Sequence, residues 1–224
     1  MHEGPAAPAE AAGTDGVVEV LAVEDDTLTV GILNPDGSRA EMSGNGTRIA
    51  AAWLMRRTGS VSARVRVGER TVVVRRREDG LYESDLGPIE VGPPEVVDGL
   101  EVTPVSVGNP HAVVLGDPAR IRELGPRLER HPRFPQGTNV QVARVEQPGE
   151  VTARVWERGV GETSASGTSA VAVAAATHRD GEITVHFPGG DLQVRLAGGR
   201  AWLVGPAEPL DEKSNFGEPL GTEP

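Results

Sequence analysis

The chain has 224 residues, of which 38% are hydrophobic and 25% charged, the profile of one large or two small globular units able to bury a core. It contains no cysteine, which excludes disulfides, thiolate nucleophiles and cysteine metal sites, and it has no apolar run near the roughly 18 residues of a membrane span. A net charge of −11 argues against nucleic-acid binding, 3% aromatic content against stacking surfaces, and a single lysine, Lys213 in a polar stretch, against a Schiff-base cofactor enzyme.

The first 16 residues are rich in Ala, Pro, Glu and Gly and read as a poorly ordered lead-in. They lack the basic and apolar regions of a signal peptide, so the expectation is a cytoplasmic protein. Val17–Val23 and Thr27–Leu33 read as strands, and Asn34-Pro35-Asp36-Gly37 as a turn. Gly44 to Arg57 reads as a helix whose apolar face is Ile49, Ala50, Ala51, Trp53 and Leu54. Val61–Val67, Thr71–Arg77 and Leu81–Leu86 follow as short antiparallel strands. The run Arg75-Arg76-Arg77 reads as a solvated strand end.

A Pro/Gly-rich joint at Gly87–Pro94 opens a second unit. Val102–Val107 and Ala112–Leu115 are strands around the turn Gly108-Asn109-Pro110. Asp117-Pro118 has the form of an N-cap with proline at the first helical position, so Ala119–Glu129 reads as a helix. Val140–Val145 and Val151–Trp156 are strands, Ser166–Thr177 is a helix of small residues, and Ile183–Phe187, Leu192–Leu196 and Ala201–Val204 complete the sheet. These signals place a first half at 1–88, rejoined by about 200–208, a second half at 89–199, and a loose tail at 209–224.

Both halves carry a strand, a loop, a Ser-Gly pair and an Ala-rich helix: Ser43-Gly44-Asn45-Gly46-Thr47 and Ser166-Gly167-Thr168-Ser169-Ala170. A Gly-rich loop that opens a helix offers free backbone N–H groups and the positive end of the dipole, a ready site for an anion. Each loop taken alone also reads as an ordinary serine N-cap with a tight turn. His111 taken alone reads as a structural histidine, and Glu157-Arg158 as a surface pair. Taken with Asn34, Asn109 and Asn139, the same residues make a pocket for a zwitterion. Amides and Arg158 suit carboxylates, Glu157 suits an ammonium, and the helix starts suit a second carboxylate. His2, His111, His131, His178 and His186 show no metal-ligand spacing, so no metal is expected.

The run from Asn34 to Arg48, N-P-D-G-S-R-A-E-M-S-G-N-G-T-R, resembles the signature of the diaminopimelate epimerase family, N-x-D-G-S-x4-C-G-N-G-x-R, with Ser43 at the cysteine. Glu157 to Gly167, E-R-G-V-G-E-T-S-A-S-G, resembles the second signature, E-R-G-x-G-E-T-x-A-C-G, with Ser166 at the cysteine. Gly108-Asn109-Pro110-His111 and Thr138-Asn139-Val140 fall between the two in the family's order. The resemblance spans about Gly13 to Glu208. It implies an α/β (α+β) fold of two similar halves, each a mostly antiparallel sheet wrapped around a central helix, with the site in the cleft between them.

The same resemblance implies a cofactor-independent epimerase that interconverts LL- and meso-diaminopimelate on the route to lysine and peptidoglycan. One thiolate takes the α-proton and a thiol returns a proton on the opposite face. By position these roles fall on Ser43 and Ser166. Gly44, Asn45, Gly167 and Thr168 would hold the reacting carboxylate, and Glu157 the α-ammonium, with His111 close to the reacting centre. Asn34, Asn109, Asn139 and Arg158 would read the distal end. The expected partner is a small-molecule amino-acid substrate, with no nucleic acid and no membrane. A homodimer is an expectation carried from some members.

Two departures stand out. Hydroxyls replace both thiols, so a neighbouring base such as His111 or Glu157 is needed for proton transfer. Gly13-Thr14-Asp15-Gly16 resembles a segment that family members carry later in their chains, which predicts a missing strand and an exposed sheet edge in the first half. The rival readings are an amino-acid-binding homologue without catalysis and a related isomerase or dehydratase of the same fold.

Overall fold

The computed structural model describes residues 16–33, 39 and 43–207. The expected tail at 209–224, all but the last residue of the lead-in, and the turn at 34–37 lie outside the described residues. Strands β1 (Val17–Glu24) and β2 (Thr27–Leu33) form a hairpin in which Asp25 takes a φ of 50°. Helix α1 (Gly44–Thr58) crosses from β2 to β3 (Ser62–Val67), which lies parallel to β2. Strands β4 (Arg70–Arg76) and β5 (Tyr82–Pro88) continue as an antiparallel meander.

Two short strands, β6 (Glu90–Val91) and β7 (Glu95–Val97), lead to β8 (Leu100–Ser106) and β9 (Pro110–Leu115). Asp117 caps with its side chain as expected, accepting from the Ala119 N–H at 3.0 Å. The turn it caps, Pro118–Arg120, is a 3-10 turn, and the α-helix α2 begins only at Ile121 and runs to Glu129. Strand β10 (Asn139–Gln147) returns parallel to β9, and β11 (Glu150–Glu157) pairs antiparallel with β10. The three-residue β12 (Gly161–Thr163) precedes α3 (Gly167–Thr177), which crosses to β13 (Gly181–Phe187), parallel to β11. Strands β14 (Gly190–Ala197) and β15 (Arg200–Gly205) close the chain's described part.

The strand order is β1-β2-β3-β4-β5-β15-β14-β13-β11-β10-β9-β8-β6, with β12 on β11 and β7 on β8. Outward from the β5–β15 boundary the order reads alike in both directions. Each side has an antiparallel meander, a helical crossover to a parallel strand, and one more antiparallel strand. Strands β5 and β15 pair antiparallel, as a two-fold relation between the halves requires. All but three of the strand pairings are antiparallel.

The symmetry ends at β1. Its counterpart β10 is covered by β9, whereas β1 has only β2 beside it among the described residues. Val20, Leu21 and Val23 are 45%, 53% and 51% exposed along β1. Among the described residues this edge is apolar and unpaired, a kind of surface prone to strand pairing with other chains.

Both crossover helices are buried, for different reasons. Helix α3 is a run of alanine and valine, and Ala170 to Ala175 are buried all round, so the sheet closes tightly on it. Helix α1 corrects one expectation: Ile49 is 46% exposed, while Arg48 beside it is buried. Ile49 falls on the stripe of Asn45 and Arg56, four and seven residues away, which the helical period turns to solvent. Trp53 on the same stripe is half-buried and is covered by the Arg57 guanidinium, 5.0 Å from its ring centre.

Candidate active site

Helices α1 and α3 meet at their N-termini. A Cβ built on Gly44 would lie 3.5 Å from the Gly167 Cα, and one built on Gly167 would lie 3.4 Å from the Gly44 Cα. Both would come within 2.7 Å of Leu203 Cδ2, on the strand beneath. The facing backbone would tolerate a Cβ at either position, and it is the Leu203 methyl at 2.7 Å that a Cβ would have to displace. Gly44→Ala and Gly167→Ala are each expected to lower stability by about 1–3 kcal/mol, because the added methyl must displace a fully buried leucine. Urea denaturation checks this, with Ala50→Gly in the same helix as a comparison of different origin.

The N-cap residues flank this junction. Ser43 and Ser166 share an extended backbone, with φ/ψ of −137°/119° and −147°/130°. The Ser43 Oγ accepts from the Gly46 N–H at 3.0 Å. The Ser166 hydroxyl makes no capping bond, and no other group among the described residues bonds it. Two positive helix ends therefore converge with the Gly44, Asn45, Gly167 and Thr168 amides, which have no intrahelical acceptor.

Arg48 was not singled out from the sequence, although it closes the first motif. It is 3% exposed, donates from Nη1 to the Gly44 carbonyl at 3.1 Å and from Nη2 to Asn45 Oδ1 at 2.5 Å, and leaves its Nε unpaired. Burial lowers its pKa to about 10, so it stays charged at neutral pH and adds to the positive field of the α1 end.

The other residues gather at one end of β9, β10 and β11. The parallel register sets His111 beside Asn139. Asn139 is 7% exposed, and both ends of its carboxamide are used: Nδ2 donates to the Pro110 carbonyl and Oδ1 accepts from the Arg158 N–H, each at 3.0 Å. The Arg158 guanidinium donates to the Gln136 carbonyl at 3.2 Å. Glu157 accepts from the Thr163 hydroxyl at 2.6 Å through Oε1.

His111 is 1% exposed and has both ring nitrogens engaged, Nε2 with Asn109 Oδ1 and Nδ1 with Gln141 Nε2, each at 3.0 Å. Burial, with a smaller contribution from the Arg158 charge, lowers its pKa to about 3, so the ring is neutral at physiological pH. Gln141 also donates to Ser169 Oγ at 3.0 Å, which ties this cluster to the first turn of α3. Asn109 and His111 line a cavity of about 380 Å³ shared with Pro104, Arg133, Phe134 and Gln136. Asn34 lies outside the described residues.

Glu129 is a second residue that sequence reading missed. Its Oε2 accepts from the Trp156 indole N–H and its Oε1 from the Gly159 N–H, both at 2.8 Å, so it fixes the turn that carries Glu157 and Arg158. The signal was present: an acidic residue in the last turn of a helix opposes the dipole and calls for another partner. Burial pulls its carboxyl pKa upward, but the two hydrogen bonds outweigh this and hold it below the usual carboxylate range. Glu129→Ala leaves the half-buried Trp156 indole N–H and the solvent-exposed Gly159 N–H without this partner and is expected to cost about 1–3 kcal/mol in all. Glu129→Gln keeps one acceptor and is expected to lose less; chemical denaturation of both variants checks the order.

The family model for diaminopimelate epimerase matches residues 103–207. A diaminopimelate epimerase from Azotobacter vinelandii is 38% identical over 218 residues, which cover 85% of this chain and 79% of the relative. The chain belongs to the diaminopimelate epimerase family. A second relative in this family, from Desulforudis audaxviator, is 39% identical over 229 residues, 88% of this chain and 82% of its own length. Membership makes the chain an isomerase by family. Solved structures share the fold at low identity. A phenazine biosynthesis protein of the PhzF family from Bacillus anthracis superposes with a TM-score of 0.65 at 14% identity, covering 88% of this chain and 83% of that one. A hydroxyproline epimerase from Agrobacterium vitis gives 0.58 at 14% identity, covering 84% and 70%. The two-halved architecture, mostly antiparallel with a helix inside each half, agrees with the fold read from the sequence. No helix among the described residues is long and apolar enough to cross a membrane.

Proposed function

We propose that the chain interconverts LL- and meso-diaminopimelate without a cofactor: the small alkoxide fraction of Ser43, favoured by the Gly46 N–H, takes the α-proton, and the Ser166 hydroxyl gives its own proton to the opposite face, the reverse reaction restoring both. The observation that carries this reading is the contact of Gly44 with Gly167, which aims two helix ends at one point. A carboxylate held there by the Gly44, Asn45, Gly167 and Thr168 amides gains stabilisation as charge spreads onto it from the deprotonated α-carbon. Glu157 holds the α-ammonium through its second carboxylate oxygen. Asn109, Arg158 and Asn34 read the distal end. The part of Asn139 is to hold Pro110 and Arg158 in place, because both ends of its amide already have partners.

The serines do not stand in equal environments. The Gly46 N–H favours negative charge on Ser43 Oγ, and no comparable bond supports Ser166. His111 exchanges no proton in this reading, since its nitrogens are occupied and its ring is neutral; it orients Asn109 instead. A serine without a bonded base transfers a proton slowly, so the reaction runs far below the rate a thiol pair would give.

The test is incubation with LL-diaminopimelate in D₂O, with α-deuterium followed by mass spectrometry and stereoisomers by chiral separation. Uptake with meso product supports the proposal. Measurable binding with no uptake refutes the catalytic part and leaves a second reading, an amino-acid-binding homologue. That reading is favoured by one observation: among the described residues, no imidazole or carboxylate bonds either serine.

A further inference from the structure

We infer that Gln141 is a positioning residue that fixes the His111 tautomer and, through it, the face that the Asn109 carboxamide offers to a ligand. The link to a ligand rests on the proposed function; the link from Gln141 to Asn109 does not. Gln141 is fully buried on β10. Its Nε2 lies 3.0 Å from two atoms, Ser169 Oγ and His111 Nδ1, and its Oε1 has no partner. An amide nitrogen carries two hydrogens, and this orientation uses both. The reversed amide would satisfy one oxygen and strand two buried N–H groups, and stranded donors are rarer in proteins than under-satisfied carbonyls.

With Gln141 donating to Nδ1, that nitrogen must be unprotonated. The ring is neutral, so its one proton sits on Nε2. Nε2–H then donates to Asn109 Oδ1, 3.0 Å away. The Asn109 oxygen is thereby held toward the ring, and its Nδ2 hydrogens have no partner among the described residues. Asn109 lines the 380 Å³ cavity, which Ser43, Ser166 and the two helix ends do not line, so the group left to a ligand reaching Asn109 is a donor, which selects an acceptor such as a carboxylate. One buried amide, itself braced by the first turn of α3, thus decides whether Asn109 presents N–H or C=O.

The experiment measures imidazole ¹⁵N shifts and the Asn109 side-chain amide signals in the ligand-free protein, then diaminopimelate affinity by calorimetry, for the native chain and for Gln141→Met. Methionine keeps the volume and removes the donor. The native protein is expected to show the Nε2–H tautomer unchanged from pH 5 to 8. The variant is expected to populate both tautomers, shift the Asn109 amide signals, and bind diaminopimelate about tenfold more weakly with the exchange rate at saturation unchanged. An Nδ1–H tautomer in the native protein overturns the inference. So does a variant whose His111 and Asn109 signals stay native. If the native chain binds no diaminopimelate, the proposed function falls, and the NMR comparison alone decides the part of Gln141. If the tautomers mix while affinity holds, the proposed role toward the ligand is wrong.

Discussion

Replacing Ser43 and Ser166 together by cysteine is expected to raise α-hydrogen exchange on diaminopimelate by at least about 10³-fold, the equivalent of roughly 4 kcal/mol of barrier. The reason is acidity. A free thiol ionises near about 8.5, and a helix N-terminus lowers that further, so a useful thiolate fraction exists near neutrality. A hydroxyl at the same place does not ionise there and has no bonded base to assist it. The rest of the site needs no change for a thiol pair. The two helix ends already converge on one point, and Arg48 already adds charge beneath the first. The Gly46 N–H, which now bonds Ser43 Oγ, would instead support a thiolate at 43. Losing the serine cap is expected to cost about 0.5–2 kcal/mol of stability, small beside the gain in rate.

The single variants sharpen the test. Each leaves one competent acid/base on one face of the α-carbon. They are expected to wash in deuterium chiefly with retention, whereas the double variant inverts. Mass spectrometry with chiral separation reads both quantities. A double variant no faster than the native chain would mean that the two positions do not flank the α-carbon, and the catalytic reading would fall with it.

Most of the frame was legible from period and punctuation. Thr27–Leu33 shows strand character with β-branched residues and ends at a turn signal, and the observed strand has the same limits. Helix α3 begins one residue after its serine cap, as Ser-Gly predicts. The short strands β6, β7 and β12 left no trace, because two or three residues cannot express a period. The apolar face of α1 differs from expectation at Ile49, which hydrophobicity ranks against its true exposure, and hydrophobicity carries no signal for the burial of Arg48. A buried arginine is stabilised by particular acceptors, here the Gly44 carbonyl and Asn45, and acceptors are a property of the folded loop. The same limit applied at Glu129 and Gln141. Each acts through partners distant in sequence, such as Gly159 for Glu129 and His111 for Gln141, and only the sheet register brings them together. The sequence motifs single out Asn139 and His111, and the parallel register sets the two side by side. Their parts were not legible, since these depend on which polar atoms the fold has already used.

Glu157→Gln is expected to weaken diaminopimelate binding by about 10- to 100-fold while leaving the fold intact. Glutamine preserves the acceptor that the Thr163 hydroxyl uses at 2.6 Å, so the end of β11 keeps its bond to β12. What it removes is the negative charge on the second oxygen, the atom assigned to the α-ammonium. Charge-assisted hydrogen bonds are about twice as strong as neutral ones, which sets the size of the loss. The informative control is a ligand in which the α-ammonium is replaced by a hydroxyl. The native chain should bind it poorly, because a carboxylate gains no ionic partner from a hydroxyl and lies close to the ligand's own carboxylate. The glutamine variant removes that repulsion, so it should bind the hydroxyl ligand as well as the native chain does or better. Calorimetry with both ligands on both proteins gives a double comparison in which a general loss of structure cancels. Equal weakening for the two ligands would show that Glu157 supports the loop and does not pair with the ammonium. Opposite shifts would assign the charge to that contact, and would orient the ligand with its reacting carboxylate on the two helix ends.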